Sequence, residues 1–281
     1  MLLIDHGSGV LTFTFDSLGQ DERILHFVST RRGGTSDGRY TSLNLGFHTG
    51  DSKRYVQENR QRLAGAMGVP VRWLTVARQV HGNHVRLVEP ADRGAGALED
   101  ESTLDASDAM ITRAPNLCLM VIVGDCVPVL LYDPGLAAIG VIHAGWRGTV
   151  AQVTAAAVQA MIRGFGSDPE DIRAGIGPSI GPHEYEVGPE VVEEAQRNLP
   201  DWEAVVTRGE SGYRFDLWEA NRLQLLREGV NDRNIEIAGL SSYALTDSFF
   251  SERRDGRPTG RFAVGIMLRR HPDAYDAYAD G

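Results

Sequence analysis

The chain has 281 residues, 42% of them hydrophobic, so it is long enough to bury a sizeable core. Its 38 acidic and 28 basic residues give a net charge of −10, which disfavours binding to phosphate backbones and to anionic membranes. We therefore predict a single domain over residues 1–281 that binds neither nucleic acid nor a membrane.

The two cysteines and the apolar runs indicate a cytoplasmic protein. Cys118 and Cys126 lie eight residues apart in one strand-and-turn stretch, where they are poorly placed to form a structural disulfide. The first ten residues lack the basic and apolar regions of a signal peptide, and the longest apolar run, residues 117–123, is far too short to span a bilayer. We expect reduced thiols, no targeting segment and no transmembrane helix.

Apolar runs of strand length recur along the chain between segments rich in glycine and small polar residues. The predicted strands cover residues 24–30, 73–77, 85–88, a cluster between about 108 and 142, 172–176, 235–240 and 262–268. After the first strand, residues 31–51 form a long polar loop, and such loops are more often functional than idle. Residues 92–107 show no periodicity, so we expect a mobile surface segment that carries little chemistry.

Helical spacing of apolar residues predicts fewer helices than strands. They cover residues 54–67, residues 149–162 with Gly164 as the cap, a segment beginning near Pro189, and a segment that Asp216 and Glu219 open as a capping box. Because strands outnumber helices and their connections are irregular, we predict an α+β fold. Mixed β-sheets with flanking helices fit this pattern better than a doubly wound parallel sheet.

Three side chains at strand ends or turns are the strongest chemical candidates: His81, Cys126 and His143. Two histidines and a cysteine suit zinc and leave a fourth position open, which is the arrangement of a catalytic metal site. Their spacing matches no compact zinc finger, so three unrelated residues are the first alternative. In the second alternative, Cys126 is a nucleophile and one of the histidines is its base. Cys118, in the middle of an apolar strand, is expected to serve packing only.

Arginines in glycine-rich loops of an acidic chain suggest recognition of phosphate or carboxylate, because the guanidinium fork binds such oxyanions through two hydrogen bonds. These arginines are Arg31, Arg147, Arg253, Arg254, Arg257 and Arg261. Ordinary surface ion pairs are the alternative. No Walker loop or G-x-G-x-x-G motif opens a helix, so the sequence does not support nucleoside triphosphate or NAD chemistry. Asp108 and Asp125 can act as acids or simply cap turns.

Several runs of sequence resemble the laccase-domain family. They are RQVHGNHV at 78–85, DAMIT at 108–112, GDCVPVLLYD at 124–133, HAGWRGT at 143–149, IGPSIGPHEYEVGPEV at 176–191 and FFSERRDGRPTGR at 249–261. The similarity extends from about residue 27 to residue 268. Members of this family were long labelled multicopper polyphenol oxidases and are now regarded as purine nucleoside phosphorylases with accompanying adenosine deaminase activity.

The resemblance implies a zinc site at His81, Cys126 and His143, with copper as the alternative metal. It also implies mixed sheets packed as layers between helices, and purine nucleosides and phosphate as substrates. The catalytic residues would be Cys126, His81, His143 and Asp125, with Asp125 as a proton shuttle. The residues expected to bind substrate or phosphate are Arg31, Asn44, Arg147, Arg254 and Arg261. The oligomeric state stays open.

Three positions depart from the family pattern. Ser241-Ser242 stands where many relatives have Cys-Thr, His183-Glu184 occupies a variable place, and Glu252 replaces a commonly aromatic residue. These departures leave the metal ligands intact and concern the fit of the substrate.

Three other functions remain open. A multicopper oxidase needs several copper sites, yet the eight histidines include no His-x-His pair. A non-catalytic binding protein does not need a cysteine and two histidines at strand ends, so finding those side chains far apart would favour it. A cysteine hydrolase would be sensitive to thiol alkylation without requiring a metal.

Overall fold

The computed structural model of the chain describes residues 1–209 and 212–269. Over these ranges it has fifteen strands and eight α-helices. The strands are β1 (Leu2–Asp5), β2 (Leu11–Thr14), β3 (Ile24–Ser29), β4 (Leu74–Thr75), β5 (Val85–Leu87), β6 (Ala109–Thr112), β7 (Cys118–Val123), β8 (Val127–Asp133), β9 (Ala138–Ala144), β10 (Arg173–Ile176), β11 (Glu186–Val187), β12 (Val206–Arg208), β13 (Tyr213–Phe215), β14 (Ile235–Ile237) and β15 (Phe262–Leu268). The helices are α1 (Asp16–Gly19), α2 (Lys53–Ala66), α3 (Trp146–Val150), α4 (Val153–Phe165), α5 (Pro189–Asn198), α6 (Trp202–Val205), α7 (Leu217–Arg227) and α8 (Glu252–Asp255).

Most of the strands form two large sheets. Their strand orders are β1-β2-β3-β15-β7-β4 and β14-β10-β8-β9-β6-β5, and a small third sheet has the order β11-β13-β12. Both large sheets are mixed, because β4 runs parallel to β7, β5 to β6 and β10 to β14, whereas their remaining neighbours are antiparallel. The predicted α+β class with mixed sheets is therefore confirmed.

The two large sheets pack face to face. Val121 of β7 and Val264 of β15 share one apolar cluster with Leu130 of β8 and Val141 of β9. The other face of the second sheet packs against α4 and α7, and the other face of the first sheet packs against α2. The result is the order of layers that the resemblance implies: helix, sheet, sheet, helix.

Strands β8 and β9 lie inside these layers and are buried at every position. Val129 and Leu131 point toward the helices, whereas Leu130 and Tyr132 point toward the first sheet. Because both faces are covered, the sequence of each strand is a continuous apolar run and does not alternate. The hairpin that the two strands form is thus a rigid support for the residues at its open end.

Some details of the prediction are wrong. The sequence patterns did not predict strands β1, β2, β11, β12 and β13 or helices α1, α6 and α8, and the predicted helix over residues 149–162 is two helices. Gln152 has a left-handed backbone, with a φ of 61°, which interrupts the helix between α3 and α4. Helix α4 ends at Gly166, not Gly164, because the φ of Gly166 is 77° and its N–H reaches the carbonyls of the last helical turn.

The predicted start of α7 is confirmed, since the carboxylate of Asp216 accepts a hydrogen bond of 3.0 Å from the N–H of Glu219. Strand β3 and helix α2 lie within one residue of their predicted bounds. Among residues 1–209 and 212–269, no helix has the length and apolar character needed to cross a membrane.

Candidate metal centre and its cleft

The β8–β9 hairpin brings two of the candidate ligands together. Cys126 directly precedes β8, and His143 lies near the end of β9, opposite Pro128 in the antiparallel ladder. Gly145 follows them at the same end of the hairpin. A Cβ atom on Gly145 would lie 2.9 Å from the sulfur of Cys126 and 2.9 Å from Cδ2 of His81, so a side chain does not fit there. This contact is a physical reason for the glycine in His-Ala-Gly-Trp.

The third candidate, His81, sits in the turn between β4 and β5 with a left-handed backbone, its φ being 62°. Such a conformation is costly for a residue with a side chain. Asp108, the residue before β6, holds the turn, since its carboxylate accepts the N–H groups of Val80, His81 and Gly82 at 3.2, 2.9 and 2.7 Å. The buried carboxylate of Asp108 therefore fixes the backbone of this turn.

The same carboxylate orients His143. Nδ1 of His143 donates to Oδ1 of Asp108 at 2.8 Å, and the backbone N–H of His143 donates to the carbonyl of Asp108 at 2.7 Å. With Nδ1 engaged, Nε2 is the ring nitrogen that can bind a metal. Asp108 is only 1% exposed. Of its two predicted roles, acid or cap, the structure supports the cap.

The three ligand atoms form a compact group. They lie within 4.8 Å of one another, and Nε2 of His81 is 3.9 Å from the sulfur of Cys126. In a tetrahedral zinc site, bond lengths of about 2.0–2.3 Å separate neighbouring ligand atoms by about 3.3–3.6 Å. The donor set and its spacing therefore fit one metal ion after a small contraction. The alternative of three unrelated residues is wrong.

The electrostatics of the group favour a deprotonated sulfur. Burial by itself would raise the pKa of Cys126, but the charge of His143 and hydrogen bonds from His143 and His81 lower that pKa to about 6. Burial would lower the pKa of His143, whereas Cys126 and Asp108 raise it to about 9. At pH 7 the metal-free pair is thus a thiolate beside an imidazolium. The thiolate is the form of cysteine that binds metals and attacks electrophiles.

A cleft of about 860 Å³ opens above these residues, which is within the usual range for small-molecule sites. Phe47, Trp146 and Tyr185 give it aromatic walls. Asp100 and Thr103, from the segment over residues 92–107, also line it.

Four of the six candidate arginines line the cleft: Arg147, Arg253, Arg257 and Arg261. Arg147 is exposed, and its guanidinium lies 4.2 Å from the ring centre of Trp146. Its side chain has no hydrogen bond or ion pair within residues 1–209 and 212–269. Arg261 is an ion-pair partner of Glu252 and also donates to the carbonyl of Thr259 at 3.1 Å. Glu252, one of the departures from the family pattern, thus neutralises a cleft arginine.

Arg254, predicted to bind phosphate, is not among the residues that line the cleft. Two of its N–H groups bind the carboxylate of Asp255, and the others bind the carbonyls of Ser242, Tyr243 and Phe249. All five donors of the guanidinium are therefore used inside the protein. Arg254 ties together the loop that precedes β15.

Arg31 and Asn44, also predicted to bind substrate or phosphate, make hydrogen bonds within the protein. Arg31 donates to the carbonyls of Thr41 and Thr246 at 2.9 and 3.1 Å. Asn44 is fully buried, and its side-chain oxygen accepts the N–H groups of Gly46 and Arg261. Neither side chain lines the cleft, because both are used to hold the loop over residues 31–51 against its neighbours.

Asp125 lies in the cleft wall, and both of its oxygens accept hydrogen bonds. Oδ1 binds the hydroxyl of Ser242 at 2.7 Å, and Oδ2 binds the N–H of Arg253 at 2.7 Å. Ser242 belongs to another departure from the family pattern. Asp125 therefore anchors the loop with Arg253 while keeping its carboxylate beside Cys126.

Two further residues of the cleft, Arg60 and His48, were not predicted as site residues. Arg60 lies on the buried face of α2, and His48 lies in the loop before that helix. An arginine within an amphipathic helix gives no signal that separates it from its exposed neighbours Arg54 and Arg62. Only the packing of α2 on the first sheet turns Arg60 toward the cleft.

Comparison with known proteins identifies the family. Residues 25–269 match the family model described as multi-copper polyphenol oxidoreductase laccase. The chain belongs to this family. Within it, the chain is 40% identical to a protein named purine nucleoside phosphorylase from Bacteroides thetaiotaomicron, over 91% of this chain and 96% of the relative. It is 38% identical to a protein named adenosine deaminase RL5 from an unknown prokaryotic organism, over 88% of this chain and 95% of the relative.

The fold of a solved family member agrees. The crystal structure of YlmD from Geobacillus stearothermophilus matches with a TM-score of 0.89 at 32% identity, covering 95% of this chain and 99% of that chain. The family resemblance and the prediction of an enzyme are therefore confirmed, since the named relatives carry enzyme names over nearly their whole length.

Proposed function

We propose that this protein is a zinc-dependent purine nucleoside phosphorylase that also deaminates adenosine. The observation that carries the proposal is the group of two histidines and one cysteine at the base of a cleft of about 860 Å³. The cleft has room for a nucleoside, and its aromatic walls suit a purine. The names of the relatives, which include a phosphorylase and a deaminase, support both activities.

In phosphorolysis, an oxygen of phosphate forms a bond to C1′ of the ribose while the bond between C1′ and N9 breaks. The electron pair of the broken bond goes to the purine, which takes up one proton, so the products are ribose 1-phosphate and the free base. Cationic side chains that hold the phosphate in line with C1′ stabilise this transition state.

In deamination, the C6 amino group of adenosine is exchanged for the oxygen of water and leaves as ammonia. We assign the accompanying proton transfers to Asp125, whose carboxylate lies in the cleft wall beside Cys126. Its hydrogen bonds to Ser242 and to the N–H of Arg253 hold that carboxylate in place.

His81, Cys126 and His143 would hold the metal, and Asp108 would keep both histidines oriented toward it. A zinc ion bound by three protein ligands supplies Lewis acidity and lowers the pKa of water at its open position. Zinc is favoured over copper because the described residues contain one such group of ligands, whereas multicopper oxidation requires several copper sites.

The test is an activity screen combined with metal analysis. Adenosine, inosine and methylthioadenosine are incubated with and without phosphate, using wild type, Cys126→Ala and the control Cys118→Ala. We expect phosphate-dependent release of base and about one zinc per chain in wild type and in the control, and loss of both in Cys126→Ala. Full phosphorolysis and normal zinc content in Cys126→Ala would refute the proposal. Activity that survives metal removal but not thiol alkylation would indicate the cysteine hydrolase instead.

A further inference from the structure

Arg60 is a buried cation that forms no ion pair among the described residues. It is 2% exposed, and its hydrogen bonds go to the carbonyls of Leu45 at 2.9 Å, Ala97 at 3.1 Å and Gly96. Its guanidinium lies 4.5 Å from the ring centre of Phe47. In the described part of the chain, no carboxylate forms an ion pair with Arg60. Carbonyls and a ring face thus contact the positive charge directly, while the carboxylate of Asp100 acts on it only through its charge.

A buried charge that hydrogen-bonds only to neutral groups is costly, and a bound anion would remove much of that cost. Burial lowers the pKa of Arg60 to about 9, against the opposing effect of the Asp100 charge, so the side chain is still charged at pH 7. Nη2 has no hydrogen-bond partner within residues 1–209 and 212–269, yet it is not sealed away from solvent. Since Arg60 lines the cleft, Nη2 is the donor that an oxyanion in the cleft can reach.

His48 and Arg261 also line the cleft. Arg60 lies over the ring of Phe47, the residue before His48, and a Cβ on Gly46 would lie 3.1 Å from Cγ of Arg261. The short segment over residues 46–48 therefore contacts both arginines.

Burial lowers the pKa of His48, and the charges of Arg261, Arg60 and His143 lower it further, while the charge of Asp100 raises it. The neutral imidazole, which can donate one hydrogen bond, is thus favoured. Arg261 forms an ion pair with Glu252, whereas Arg60 forms none in the described ranges.

We propose that Arg60, together with His48 and Arg261, binds the phosphate ion that attacks C1′ of the nucleoside. This inference rests on the proposed function and replaces Arg31, Asn44 and Arg254 as phosphate contacts. It assigns the anion to inorganic phosphate, with the purine at the metal centre.

The main experiment compares Arg60→Met with Arg62→Met. Arg62 lies on the same helix but is exposed and pairs with Glu58, so it is a matched control. Loss of a charge-assisted hydrogen bond should raise the KM for phosphate by about 10- to 100-fold in Arg60→Met. Deamination of adenosine, measured without phosphate, should stay within about 3-fold of wild type, and Arg62→Met should match wild type in both assays. An unchanged KM for phosphate in Arg60→Met would overturn the proposal.

Because Arg60 also holds two loops, Arg60→Lys is made as a second variant. It keeps the charge but loses the planar fork. We expect a raised KM for phosphate at a wild-type unfolding temperature and zinc content. The assignment would be overturned by a wild-type KM for phosphate in a folded Arg60→Lys protein. It would also be overturned if the KM for phosphate and the rate of deamination changed together.

Two more measurements are needed. The first distinguishes inorganic phosphate from the phosphate group of a nucleotide, and the second tests phosphate binding separately from phosphorolysis. If Arg60→Met weakened the deamination of adenosine 5′-monophosphate but left the KM for inorganic phosphate unchanged, the anion would be the phosphate of a nucleotide and the proposal would be wrong.

If wild type shows no phosphate-dependent cleavage of any nucleoside, the proposed function fails. Calorimetric titration with inorganic phosphate then tests the site alone: binding lost in Arg60→Met supports an oxyanion site, and no binding to wild type excludes it.

Discussion

Replacing Asp108 with asparagine tests whether one buried carboxylate holds two of the three ligands in position. Oδ1 of Asp108 accepts hydrogen bonds from the His81 N–H and from Nδ1 of His143, and Oδ2 accepts them from the N–H groups of Val80 and Gly82. An asparagine side chain has one acceptor oxygen and one NH2 group, and that group would face N–H donors. Whichever way the amide is turned, one of these two pairs of hydrogen bonds is lost.

The expected magnitude follows from that loss. Hydrogen bonds to a charged group contribute about 1.5–3 kcal/mol each, although local relaxation recovers part of this energy. Loss of an outer contact that orients a metal ligand typically lowers metal affinity about 10- to 100-fold. We therefore expect Asp108→Asn to bind zinc about 10- to 100-fold more weakly, equivalent to about 1.4–2.7 kcal/mol.

The assay is competition for zinc with a chromogenic chelator at fixed pH, which does not depend on catalytic activity. Asp105→Asn is the matched control, because the Asp105 side chain is 94% exposed and, within residues 1–209 and 212–269, its carboxylate pairs with Arg86 alone, at 3.6 Å. It should bind zinc as wild type does. If Asp108→Asn also binds zinc with wild-type affinity while remaining folded, then Asp108 does not position the ligands.

Two other predictions concern the same centre. Gly145→Ala keeps an allowed backbone, since the φ of Gly145 is −69°, but its methyl group would lie 2.9 Å from the sulfur of Cys126. Zinc affinity should fall at least about 10-fold with little change in unfolding temperature, and unchanged affinity would show that the site tolerates the methyl group. Because the pKa of Cys126 is lowered to about 6, alkylation of the metal-free protein by iodoacetamide should rise between pH 5 and 7 and then level off. Burial raises the pKa of Cys118 to about 12, so Cys118 should not react in this pH range. Bound zinc should protect Cys126 from alkylation. Mass spectrometry of the peptides that contain the two cysteines measures the alkylated fraction of each.

The sequence alone predicted most strands of the two large sheets and the identity of the three candidate ligands. Apolar runs mark β7, β8 and β9 because these strands are covered on both faces. Cys126 and His143 can be paired from the sequence because consecutive strands joined by a short turn form an antiparallel hairpin, so the residues at its open end must meet. His81 required more, since its turn reaches the hairpin only through the buried carboxylate of Asp108.

Only the tertiary structure decided which arginines can meet a substrate. The sequence shows where an arginine is present. Carbonyl groups from distant parts of the chain determine which of its N–H groups are already hydrogen-bonded and which remain available to a substrate. Arg31 donates to the carbonyl of Thr246, 215 residues away. All N–H groups of the Arg254 guanidinium are hydrogen-bonded to residues of its own loop and of the adjacent segment. Arg60 also binds carbonyls of a distant loop, but it lines the cleft, and in the described ranges it forms no ion pair. Hydrogen-bond partners of this kind depend on how loops pack, and no local pattern encodes them.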